Sequence, residues 1–288
     1  MRPAPDIRQA GALAAALPAL VLAAQRLAGQ LDAGTHGRRR SGVGEQFWQY
    51  RAADPGDTLR MIDWRRSARS EKLFRREQEA QSRAVLLIGV DQQPGMGWSS
   101  APGIEPKLTR AMILALACGC LALEGGERVA ALGQRRTLTK RGALTPLSAA
   151  LLAAGGLDAA PALPGGMLAL FGDFLDPPAR LAARLARLGS GLRGGVLVQV
   201  LDPAELDFPY QGRVLFEDVG PDRDEEDVAR AEALGPAFRA RMAAQIEAVA
   251  RVARAAALTP ILHRTDQPAL AALTRIYPAL TTARGRFR

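Results

Sequence analysis

"RAVLLIGVD", residues 83–91, is an apolar run closed by a carboxylate. It lacks polar alternation and is rich in Val, Leu and Ile. It therefore reads as a short strand buried on both faces, with Asp91 at its carboxyl end. The pattern returns in "GGMLALFGD" (165–173), ending in Asp173, and in "GGVLVQVLD" (194–202), ending in Asp202. Helical patterns lie between these runs. "KLTRAMILALACGCLALEGG" (107–126) has an apolar period close to 3.6 and a stop at Gly125-Gly126. "TPLSAALLAAGG" (145–156) reads as a helix with Thr145 as cap and Pro146 in the first position. "PPARLAARLARLG" (177–189) reads as another. "ERVAALG" (127–133) and "TPILHRT" (259–265) are further strands, and "GRVLFEDVG" (212–220) an edge strand. Residues 224–258 read as one long helix, acidic at its start as the macrodipole favours, and 267–280 as the last helix. This alternation predicts an α/β fold: a doubly wound, mainly parallel sheet covered on both faces.

Upstream, "EQFWQYRAADPGDTLRMIDWRRSARSEKLFRRE" (45–77) is different in kind, mixing Trp, Tyr, acids and many Arg. Asp54-Pro55-Gly56-Asp57 is a turn sequence, and "LRMIDW" lacks strict alternation, so a turn-rich element is expected there. Trp64 should bury its rings, and Arg60, Arg65 and Arg69 offer bidentate donors to Asp57 and Asp63. An Arg–Asp network clamping this segment to the sheet domain is one reading, and an outward docking surface the other. Residues 32–44 form a Gly/Arg-rich connector, and 7–30 an Ala-rich amphipathic helix. The apolar stretch 11–24 contains Pro18 and is shorter than the roughly 20 residues that a membrane span requires. The expected division is an N-terminal helix and extension over 1–79 and a sheet domain over 80–288.

Composition excludes several chemistries. A chain of 288 residues, 48% hydrophobic, can bury a large core. Its charge of +9 and isoelectric point near 10.6 rest on Arg spread along the chain. Such a surplus fits solubility and acidic protein partners better than nucleic acid. Cys118 and Cys120 lie two apart on a helix and point to different faces, and His36 and His263 are the only histidines. A zinc cluster has no donors here, and a reducing, cytoplasmic setting is expected. His263, in an apolar strand, reads as a core or edge residue. There is no phosphate-loop motif, no G-x-G-x-x-G after the first strand and no nucleophile elbow. What remains is a set of oxygen donors at strand tips, Asp91, Thr145 and Asp173, of the kind that suits Mg²⁺.

That arrangement resembles the metal-ion-dependent adhesion site of von Willebrand factor A domains. Residues 44–91 sharpen the resemblance, because they look like the signature of the bacterial domain of unknown function 58 family. The matching positions are Tyr50, Gly56-Asp57, Arg60, Ile62-Asp63-Trp64, Ser67-Ala68-Arg69, Leu73, Arg76-Glu77 and Asp91, with "LFGDF" as a later match. Arg65 falls within the same run. The resemblance covers about residues 40–200 and implies a von Willebrand A-like domain without enzymatic activity. It also implies a MoxR-type AAA+ ATPase as partner, acting on a client protein. The family's metal motif, Asp-x-Ser-x-Ser, is here Asp91, Gln93 and Gly95, so the implied ligands Asp91, Gln93, Thr145 and Asp173 form a degenerate site. No cofactor is expected, with Mg²⁺ the one cation the set would suit. An Arg-rich nucleic-acid-binding module at 38–75, or a metal-dependent hydrolase at Asp91 and Asp173, are the alternatives.

Overall fold

The computed structural model describes residues 7–34, 47–52, 62, 64–68, 72–78, 85–140, 143–154, 165–188, 192–217 and 225–285. The chain forms two compact units: residues 1–36 together with 84–288, and residues 37–83.

The larger unit is built on five strands, β3 (Val85–Val90), β4 (Arg128–Ala131), β5 (Met167–Gly172), β6 (Gly195–Leu201) and β9 (Leu258–Arg264). They stand in the order β4-β3-β5-β6-β9, every neighbouring pair parallel. The connecting helices are α3 (Lys107–Glu124), α4 (Leu144–Ala153), α5 (Pro178–Arg187), the short α6 (Pro203–Asp207) and α7 (Gly235–Ala255). The fold is the expected doubly wound parallel α/β sheet. Period-2 geometry sorts the apolar strands between two cores. Leu86, Ile88 and Val90 pack with α3 and α4, whereas Val85 and Leu87 share the other core with Leu181 and Leu185 of α5 and Val249 of α7.

Helix α3 ends where its glycines require. Gly125 N–H donates to the Leu121 carbonyl, Glu127 N–H reaches the Ala122 carbonyl, and Gly126 takes φ 78°, a value that suits glycine. Helix α1 (Ile7–Gly34) runs through Pro18 and buries Leu20, Ala24, Leu27, Ala28 and Leu31 in the core shared by α3, α4 and α8 (Ala269–Gly285). It thus groups with the sheet, not with the segment that follows it. Among the described residues no helix is long and apolar enough to cross a membrane.

Three expectations are corrected. Residues 224–258 are not one helix: Glu225–Val228 form β8, antiparallel to β7 (Val214–Glu217), and the helix begins only at Gly235. Arg213 pairs with Asp227 across that hairpin, and Pro236, lacking an N–H, fits the first helical turn and separates the two elements. β7 therefore edges a separate two-stranded sheet and not the main one. Thr145 is no cap: α4 starts at Leu144 after Ala143, without a side-chain cap bond, and the exposed Thr145 lies inside the first turn.

In the smaller unit β1 (Phe47–Ala52) pairs antiparallel with β2 (Phe74–Gln78), and α2 (Trp64–Ser67) lies between them in sequence. The register sets Tyr50 opposite Arg76 and Gln49 opposite Glu77, so residues far apart in the signature meet across one ribbon. The Ser67 hydroxyl accepts from Phe74 N–H at 2.8 Å. Trp64, expected to be buried, is 55% exposed, and Arg65 is exposed beside it, because both occupy a single short helical turn. Gly56, Asp57, Arg60, Asp63 and Arg69, and with them the 54–57 turn and most of the proposed Arg–Asp network, lie outside the described residues.

Gly195 tests the sheet directly. At φ 152° its added Cβ would lie 1.8 Å from the Leu168 carbonyl oxygen, a clash relieved only by parting β5 from β6. Gly195→Ala should cost at least ~3 kcal/mol in urea unfolding.

Candidate functional site

Ligands of doubly wound sheets bind beyond the carboxyl ends of the strands, at the point where the strand order reverses. Here the chain leaves β3 for β4 on one side and returns to β5 on the other, so the reversal lies between β3 and β5. Asp91 follows β3 directly and Asp173 follows β5 directly. The two loops are drawn together: Asp91 N–H donates to the Phe171 carbonyl at 2.7 Å. Gly172 makes the approach feasible, since a Cβ there would fall 2.7 Å from that of Asp91.

The loop after β5 is held firmly. Gln199 donates to the Asp173 carbonyl at 2.8 Å, and Gln245 donates to the carbonyls of Phe174 at 2.9 Å and Asp176 at 2.8 Å. These bonds accompany a left-handed Phe174, φ 49°, whose ring is buried. A side-chain residue in that region carries strain, so the surrounding contacts must over-determine it.

Lys107, the first residue of α3, brings a cation to the same tip. It is 1% exposed; its Nζ donates to Asp173 Oδ2 at 2.8 Å and to Glu205 Oε1 at 2.5 Å. Glu205 is positioned in turn by the start of α6. Its other oxygen accepts from Asp202 N–H at 2.8 Å, while Asp202 accepts from Ala204 N–H at 2.9 Å and Ser100 N–H at 3.0 Å. This reciprocal capping box explains the strand-end Asp202: it organises α6 and the loop carrying Ser100.

The charges respond to burial. Burial, then the neighbouring Asp173, pushes the Asp91 carboxyl up to about 6, against the opposing pull of Arg184 and the Gln93 N–H. Burial would lower the Lys107 ammonium, but Asp173 and Glu205 together outweigh it and raise it on balance. Burial also raises Glu205, and Lys107 only partly offsets this. On the next turn of α3, Arg110 Nη1 lies 3.2 Å from Nε2 of the buried His263. Burial and the Arg110 charge hold that imidazole down to about 4, which agrees with its reading as a core histidine.

Asp91 and Asp173 meet, as their strand ends suggested, whereas Gln93 and Thr145 do not join them. Gln93 is exposed and caps a short 3-10 turn; Thr145 is exposed, and its carbonyl accepts from the Ser148 hydroxyl. The donors for Mg²⁺ do not fit. Asp173 is already bridged by an ammonium, Gly95 has no side chain, and no described group of three or more His, Cys, Asp or Glu residues is arranged to hold a metal. Sequence reasoning missed Lys107 and Glu205. Lys107 had a signal: it is one of three lysines, with Lys72 and Lys140, among 38 basic residues, and it opens an otherwise apolar helix.

Beside this centre lies an open groove of about 1100 Å³ that reaches Glu205 at one end. Its wall is an aromatic cluster: the ring of Phe208 lies 4.7 Å from Phe238, 5.1 Å from Tyr210 and 6.0 Å from Phe216. Leu215 of β7 and Leu175 line it at 52% and 38% exposure.

Fold and tip define a doubly wound α/β protein with a carboxylate pair at the strand-order reversal, accompanied by a separate ribbon unit. The chain belongs to the family described as "Protein of unknown function DUF58", whose model matches residues 49–146. It is similar to uncharacterized protein Mb1516 of Mycobacterium bovis and to uncharacterized protein Rv1480 of Mycobacterium tuberculosis. Each is 30% identical over 295 residues, covering 91% of this chain and 88% of the relative. No solved structure matches the chain.

Asp91 and His263 set opposing pH dependences. Asp91 is raised from 3.8 to about 6, so its contribution is full below pH 3.8 and is lost as pH rises through 6. His263 is lowered from 6.5 to about 4, so its contribution is full above 6.5 and is lost as pH falls through 4. Each spans about 3 kcal/mol. In urea melts, Asp91→Asn should stabilise the chain at pH 8 by up to that amount, with the gain vanishing near pH 4. His263→Asn should reduce the acid-side loss.

Proposed function

We propose that the chain is a von Willebrand A-like adaptor without catalytic activity of its own. It binds a MoxR-type AAA+ ATPase and through it assists the remodelling or activation of a client protein. The observation that carries this reading is the groove beside the sheet tip. It is open and largely apolar, lined by aromatic rings and Met242, with Arg241 and Glu217 among its polar members. Aromatic residues, Met and Arg are enriched where proteins meet, and a contiguous exposed apolar patch marks an interaction site more often than a solvated face. The parallel strand order, with a first-strand Asp at its reversal, and the resemblance of residues 44–91 to the family signature support the same reading. The tip beside the groove holds a carboxylate set already engaged by an ammonium on Asp173, which suits a binding surface better than bond cleavage.

The test is a co-purification of the full chain with a MoxR-type ATPase from the same organism, followed by a binding titration. Leu215→Glu and Leu175→Glu should each weaken the complex at least tenfold, about 1.4 kcal/mol. Because both side chains are exposed, unfolding should change by under about 0.5 kcal/mol. Unaltered binding by both variants, or no complex with the wild-type chain, would count against the adaptor reading.

A further inference from the structure

We propose that Lys107 is the resident cation of the sheet tip: its ammonium takes the role a bound divalent ion would otherwise have, so the site is complete without metal. This goes beyond the adaptor reading and stands or falls separately from it.

Lys107 opens an 18-residue helix, at the end where backbone N–H groups leave a partial positive charge. A buried ammonium there is unfavourable twice over, through desolvation and through the helix dipole, unless anions compensate it. Two do so, at 2.8 Å and 2.5 Å, and they come from different elements: Asp173 from the end of β5 and Glu205 from α6. One point charge thus ties α3, the β5 loop and α6 together, the bridging task that metal ions commonly perform in oxygen-lined sites.

The acceptors are also held by bonds that do not involve the lysine. Glu205 is held through Asp202 N–H, and the Asp173 backbone is held by Gln199. Lysine suits this geometry better than arginine, because the two oxygens face a compact ammonium and do not present a flat bidentate edge. A divalent cation reaching Asp173 would have to displace or adjoin an ammonium that is already paired there. The side chains that would complete its shell are missing or turned outward: Gly95 offers none, and Gln93 and Thr145 are exposed. Asp91, pressed against Gly172, adds another acid and no second cation of its own loop.

The test uses the purified full chain, stripped with EDTA, and reads Tm in about 10 mM Mg²⁺, Mn²⁺ or Ca²⁺. A millimolar site would raise Tm by roughly 3 °C or more. The wild-type chain should move by less than about 1 °C in every case. Lys107→Ala, which leaves the buried Asp173 and the half-buried Glu205 without their cation, should lower Tm by roughly 10 °C. The triple variant Lys107→Met/Asp173→Asn/Glu205→Gln removes the charges together. It should fold and melt closer to wild type than Lys107→Ala does, even if the single variant is too unstable to purify. A metal-dependent rise in wild-type Tm that Asp173→Asn abolishes would overturn the proposal. So would a Lys107→Ala chain as stable as wild type, or a triple variant no more stable than the single one. None of these readouts involves the ATPase, so failure of the adaptor reading leaves the result intact.

Discussion

An ammonium held between two carboxylates at the tip of a parallel sheet is the constraint on which this molecule's functional end depends. Burying three charged groups costs several kcal/mol each in desolvation, and only close, well-directed contacts offset it. The Lys107–Asp173–Glu205 contacts meet that condition because each partner is fixed by further hydrogen bonds. Such a cluster adds little net stability compared with apolar residues of equal volume. Its effect is on geometry: removing Lys107 leaves both carboxylates uncompensated, and removing either carboxylate unties one of the elements the ammonium joins, so the loops are held in a single arrangement.

That arrangement has consequences for the groove. Glu205 belongs both to the charged centre and to the groove's rim, and Phe208, in a left-handed conformation at the end of α6, begins the aromatic cluster. The segment that turns the chain away from β6 therefore links the polar and apolar halves of the tip. The hairpin of β7 and β8 adds the outer wall and exposes Leu215. A partner seated on the rings would be close to the charged centre, and its affinity would be sensitive to how well the start of α6 is ordered.

Much of this was legible in the residues. Continuous apolar runs of six or seven residues, each closed by an Asp, can satisfy their side chains only when covered on both faces. The parallel sheet and its helices follow from that requirement. The glycine stop of α3 was equally visible, because a left-handed residue after a helix selects Gly. The acidic stretch before Gly235 misled, since its charge pattern suits a helix start. In the folded chain those residues pair across a hairpin, and Pro236 restarts the chain as a helix. Thr145 misled for a related reason: Ser or Thr before Pro signals a cap only when the helix begins there, and packing of Leu144 moved the start by a turn's fraction.

Local pattern thus determined the strands, most of the helices and the placing of Asp91 and Asp173 at strand ends, because periodicity and glycine conformations are short-range properties. Which distant groups meet those carboxylates was a tertiary decision. Lys107 lies 66 positions from Asp173 and 98 from Glu205, separations that no spacing rule spans. Only the crossing of the chain over the sheet brings the start of α3 to the tip, and there the cost of an isolated buried charge draws the ammonium and the two carboxylates together.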